Sequence, residues 1–120
     1  MQRTLTFSPE ANKTFILLYT AFLQGGNQQY RSANGQRPPE ERRREAKILR
    51  ALNSVSIITD PETGARKLAP EGGAVTLDQG LFVLLEKYTE QAPIPTEVSL
   101  EHADLLDWLS AAPKVEEEKG

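Results

Sequence analysis

The chain contains no cysteine, which removes disulfides, thiolate catalysis and Cys-ligated metal sites together. Histidine occurs once. His102 stands between Glu101 and Ala103, with Leu105 and Leu106 one turn on. No second ligand shares its helical face, so zinc-type spacing is missing and a surface or boundary position is expected. Long apolar runs are missing too. FILLY (15–19) and LFVLL (81–85) fall far short of the roughly 20 residues of a spanning helix. The opening MQRTLTFSPE holds no apolar run of the secretory kind, so a cytoplasmic chain is expected. Gly25-Gly26 and Gly72-Gly73 are isolated pairs, not phosphate-cradling loops.

These absences argue against catalysis. A nucleophile needs a positioned base, and the sequence offers no such pattern. Carboxylates such as Glu101 and Asp104 read as a solvated helical ridge, not as a paired-acid site. The expectation is a protein that is not an enzyme, with no cofactor and no metal.

What is present is an ordinary globular balance: 120 residues, 26% charged and 38% hydrophobic. That length fits one domain with a real core. One globular unit is expected over 1–112, followed by an acidic, disordered tail over 113–120. TLTF, Thr4 to Phe7, alternates and predicts a short strand. Ser8-Pro9-Glu10 resembles a helix start, with Ser8 as cap. Phe15, Leu18 and Phe22, widened by Ile16, Leu17, Tyr19 and Leu23, predict a central core helix that Gly25-Gly26 would end. The stretch 27–38 reads as a long loop with Tyr30 as its only large apolar group.

Pro38-Pro39 opens a second helix, to about Asn53. Projected at about 100° per residue, Glu41, Glu45, Ile48, Leu49 and Leu52 share one face. Arg43, Lys47 and Arg50 fall on the other. Val55–Thr59 and Ala65–Ala69 flank Asp60-Pro61-Glu62-Thr63-Gly64, a strong turn sequence, and predict a β-hairpin. Thr76-Leu77-Asp78-Gln79 matches a capping box and predicts a third helix from there to about Glu90. Leu77, Leu81, Leu84, Leu85 and Tyr88 would form its stripe, and Gly80 would allow close packing on the first helix. Ala92-Pro93-Ile94-Pro95 is a stiff connector, after which Ser99 would cap a fourth helix. There Leu105, Leu106, Leu109 and Ala112 face inward, and Glu101, Asp104 and Asp107 face water. The fold class is α+β: a small, mostly helical domain of about four helices with a hairpin between helices 2 and 3.

Charge is segregated along the chain. Residues 1–67 carry eleven Lys/Arg against six Asp/Glu; residues 68–120 carry three against eleven. The plainest account is that basic and acidic helices pack side by side. The functional expectation is a noncatalytic protein-interaction domain, an adaptor, inhibitor or assembly factor, that binds a protein partner through Trp108, Asp104, Asp107 and Tyr30. The alternative is a winged-helix-like nucleic-acid binder that uses Arg43, Lys47 and Arg50 with Arg66 and Lys67 of the hairpin. No membrane role is expected, because the basic helix has no spare apolar side. A homodimer is compatible with the wide stripes of the first and third helices.

Overall fold

The computed structural model describes residues 2–115, with backbone only at Val115. It is an α+β domain of four α-helices and two small antiparallel sheets. Helix α1 spans Asn12–Gln29, α2 Pro39–Asn53, α3 Gln79–Gln91 and α4 Ser99–Ser110. Strand β1 (Gln2–Phe7) lies between β4 (Gly73–Asp78) and β5 (Lys114–Val115), antiparallel to both. The hairpin, β2 (Ser56–Asp60) with β3 (Ala65–Leu68), is a separate two-stranded sheet. Short 3-10 turns occur at Arg31–Ala33 and Thr96–Val98. Among the described residues no helix is long and apolar enough to cross a membrane.

The period-2 pattern of β1 buries Arg3, Leu5 and Phe7 and turns Thr4 outward to meet Thr76, hydroxyl to hydroxyl at 3.2 Å. The core joins that face to Phe15, Leu18 and Phe22 of α1, Ile48 and Leu52 of α2, Phe82, Leu85 and Tyr88 of α3, and Leu105 and Leu109 of α4. The dominant helix pair is α1 on α3. Phe22 stacks on Tyr88 with ring centroids 5.3 Å apart. The wide stripes on these helices therefore meet each other within one chain, leaving Ile16, Leu23 and Val83 at the surface.

Several local expectations are corrected. The chain turns through residues 8–11, with Ala11 N–H donating to Ser8 O at 2.9 Å, and α1 begins only at Asn12. Phe7 still pairs with Gly73, so the backbone must leave the sheet before it can coil. Gly25 and Gly26 do not end α1; they lie buried inside it. A Cβ at Gly25 would collide with the Tyr88 carbonyl and come 2.8 Å from Tyr88 Cα. The close approach expected of Gly80 belongs to Gly25 instead, and Gly80 is exposed. Thr76 and Leu77 are strand residues, because pairing with β1 outcompetes the capping-box conformation. Asp78 is the cap of α3 and accepts from Leu81 N–H at 2.8 Å. Ser99 is the first residue of α4 and makes no side-chain cap. Of the expected tail, Lys114 and Val115 pair with β1, while residues 116–120 lie outside the described residues.

Arg3 is the main polar group of the interior, 6% exposed. Its Nε donates to Ala112 O at 3.0 Å and its Nη2 to Ser110 O at 3.1 Å. Its guanidinium lies 4.2 Å from the centroid of the Phe82 ring. A fixed cation therefore meets the carbonyl end of α4, where the helix dipole is negative. It ties β1, α3 and α4 together, and thereby sets the position of α4 against α1.

Candidate functional site

Helices α1 and α4, with the turn before α4, enclose a groove of about 550 Å³. Lys13, Thr14 and Leu17 form the α1 side; Val98, Glu101, Asp104, Leu105 and Trp108 form the other. The geometry follows from the periodicity of α4. Residues 101, 104, 105 and 108 fall on adjacent positions of one helical face, with Leu105 buried and Leu109 next to it in the core. The Trp108 ring packs on Phe7, with centroids 5.3 Å apart, and is partly buried. It closes the edge of the core with one side and lines the groove with the rest.

Charged groups keep to the rim, and Thr14 is the half-buried polar side chain of the α1 wall. Lys13, Glu101 and Asp104 are exposed, whereas Leu17, Leu105 and Trp108 supply an apolar floor. Leu100, next to the rim, is 79% exposed. His102 is half-buried: its Nε2 lies 2.8 Å from Thr89 O, which pins α4 to α3. That is a boundary role, as its sequence context suggests. Among the described residues no group of three or more His, Asp or Glu side chains is placed to hold a metal.

The residues expected to act together are only partly together. Trp108 and Asp104 share the groove; Asp107 is exposed on α4 but outside its lining. Tyr30 is elsewhere, at the end of α1, with the Arg37 guanidinium 5.5 Å from its ring centroid. Arg37 organises the supposed loop. It binds Glu45 at 3.1 Å, Gly35 O at 2.9 Å and Asn27 Oδ1 at 3.0 Å. Tyr88 donates to Glu41 at 3.1 Å in the same cluster. Burial raises the Glu45 carboxyl above its ordinary range, and the Arg37 charge only partly offsets this. Burial and the Glu45 and Glu41 charges push the Tyr88 hydroxyl well up. Tyr30 and its neighbours thus form an internal clasp.

On α2, Arg43, Lys47 and Arg50 are exposed on the face away from Ile48 and Leu52. Arg66 folds back onto Ser56, donating to its Oγ at 3.0 Å, whereas Lys67 is exposed. The first strand pairs with β4 and β5 and leaves the hairpin as a sheet of its own. The acidic α4 does not pack beside the basic α2. Each lies against α3, so the charge segregation of the sequence becomes a separation of surfaces.

Lys13, Thr14, Leu17 and Val98 were not legible as site residues. In the sequence α1 reads as apolar almost all round, and nothing marks which side of it meets α4. No protein family, no curated protein and no solved structure matches the chain.

Proposed function

We propose that the chain is a noncatalytic protein-interaction domain whose α1–α4 groove receives an amphipathic helix of a protein partner. The observation that carries this reading is the groove itself: an apolar floor of Leu17, Leu105 and Trp108 with charges confined to the rim. Amphipathic helices seat their apolar side chains in such grooves at i, i+3, i+4 and i+7. A small-molecule site would be expected to hold convergent polar groups inside. Here Glu101 and Asp104 face Lys13 across the opening, and Asp107 adds to the acidic side. The fitting partner segment therefore carries Lys or Arg beside its apolar stripe, which also speeds encounter.

Trp108 is the only tryptophan of the chain, so its emission reports the groove directly. Titration with a Leu-striped, Lys/Arg-flanked helical peptide should shift that emission saturably. Glu101→Lys with Asp104→Lys removes two rim charges worth roughly 0.5–1 kcal/mol each and should weaken binding about tenfold. An unchanged spectrum up to about 1 mM peptide, or equal binding by the charge-reversed variant, rejects the reading.

A further inference from the structure

We infer that the exposed face of α2 binds the phosphate backbone of a nucleic acid, on a surface separate from the groove. Helix α2 carries five cations, Arg42, Arg43, Arg44, Lys47 and Arg50, and all are exposed. The sequence sets Glu40, Glu41 and Glu45 among them, which suggests local neutralisation. The structure removes most of it. Glu45 is taken by Arg37 and Glu41 by Tyr88, both on the core side of the helix. Among the described residues Arg37–Glu45 is the only ion pair, so none of the five cations of α2 is paired, and Glu40, one turn before Arg43 and Arg44, is the one acid of the helix left exposed beside them.

The chain's net charge of −3 would oppose a polyanion if its acids shared this face. On α2 only Glu40 is an exposed acid, and the acidic α4 packs against α1 and α3, whereas α2 packs against α3 and β4. Arg43, Lys47 and Arg50 run along about 10 Å of helix at about 1.5 Å per residue. That spans about three nucleotide steps at about 3.4 Å each. Arg42 and Arg43 line a shallow, open depression together with Pro39 and Ala46, whose small side chains let a ligand approach the helix. Arg66 is held by Ser56, so the hairpin contributes at most Lys67, and no base-reading element accompanies the ridge. The chemistry recognised is therefore phosphate, independent of sequence.

Fluorescence anisotropy with duplex DNA and duplex RNA of one sequence, each about 20 base pairs, tests this by counterion release. Four contacts, from Arg42, Arg43, Lys47 and Arg50, predict a log–log salt slope of about −3.6, or about 150-fold weaker binding from about 50 to 200 mM salt. Arg43→Ala with Lys47→Ala touches only exposed side chains and should flatten the slope by about 1.8. Binding of both duplexes supports a shared phosphate surface, and binding of one supports it with that polymer as the source. No saturable binding by about 50 μM protein at the lowest salt, or a slope unchanged in the double variant, overturns the proposal. So does a change of the free protein's sedimentation in that variant, which would assign the face to a second copy. The groove peptide should bind this variant normally, so failure here and failure of the groove reading are distinguishable.

Discussion

Gly25→Ala should destabilise this protein although the same change ordinarily stabilises a helix. In a free helix interior, alanine is favoured over glycine by about 1 kcal/mol. At position 25 the added Cβ would fall within the Tyr88 carbonyl group and 2.8 Å from Tyr88 Cα. These are backbone atoms, so no rotamer change clears them. Carbon atoms pack best at about 3.5–4.0 Å, and α1 must therefore back away from α3 at their crossing. A gap of about 0.5–1 Å forfeits about a quarter to a half of each dispersive contact. The loss falls on the principal helix pair, including Phe22 on Tyr88. Overpacking costs about 1–3 kcal/mol and sometimes more, and a backbone collision belongs at the top of that range. Less the helix gain, the net loss is about 2–3 kcal/mol, a fall in Tm on the order of 10 °C for a chain of this size. Calorimetry on three variants makes the comparison internal. Gly26→Ala meets side-chain atoms only, Arg37 Nη2 at 2.8 Å, Tyr88 Cε2 at 3.0 Å and Glu45 Oε1 at 3.1 Å, of which the Arg37 and Glu45 ends can shift, so its loss should be smaller than that of a backbone collision. Gly80→Ala meets only Asp78 Oδ1 at 3.4 Å and should raise Tm. A Gly25→Ala protein as stable as the parent would refute the close approach of α1 and α3.

Arg3→Met keeps the side chain's bulk but removes the donors to Ala112 O and Ser110 O. Charge-assisted bonds of this kind are worth about 1.5–3 kcal/mol, so a loss of about 2 kcal/mol is expected, with faster hydrogen exchange at the end of α4; unchanged exchange there would remove Arg3 as the latch. Glu45 has a folded pKa above its ordinary 4.5, so its neutral form is the one the fold favours. Its contribution is fully present below pH 4.5 and is lost as pH rises through the folded value. The urea midpoint of the parent should therefore gain more than that of Glu45→Gln on going from pH 7 toward 4.5, and parallel profiles would contradict the assignment.

Helices 2 to 4 and the hairpin are legible because their signals are local. Pro38-Pro39 starts α2, the Asp60–Gly64 turn closes β2 on β3, and helical periodicity marks α3 and α4. The errors cluster where a distant partner decides. Thr76 and Leu77 satisfy a capping-box pattern, yet β1, some seventy residues away, pairs with them. Gly25-Gly26 is a stop signal by composition, but its glycines answer to the Tyr88 backbone on another helix. Arg3 was hidden for a related reason. The alternation of TLTF is plain only from Thr4, and one more step of it puts Arg3 on the core face beside Leu5.

The same division holds for the binding surfaces. Trp108 and Asp104 could be chosen from sequence because they sit within one turn of one helix. Their counterparts Lys13, Thr14 and Leu17 lie about ninety residues earlier and join them only through the docking of α4. That docking depends on Arg3, which holds the last carbonyls of α4, and on His102, which holds its first turns to Thr89. Charge works in the opposite direction. The sequence sets acids among the arginines of α2 and suggests cancellation, whereas the fold sends Glu41 and Glu45 inward to Tyr88 and Arg37. The clasp that tidies the 30–38 segment therefore leaves the outer face of α2 predominantly basic, with Glu40 its one exposed acid. Because α2 and α4 each pack on α3, the basic face of one helix and the groove beside the other are built from different residues, and the charge segregation of the sequence is carried onto separate surfaces.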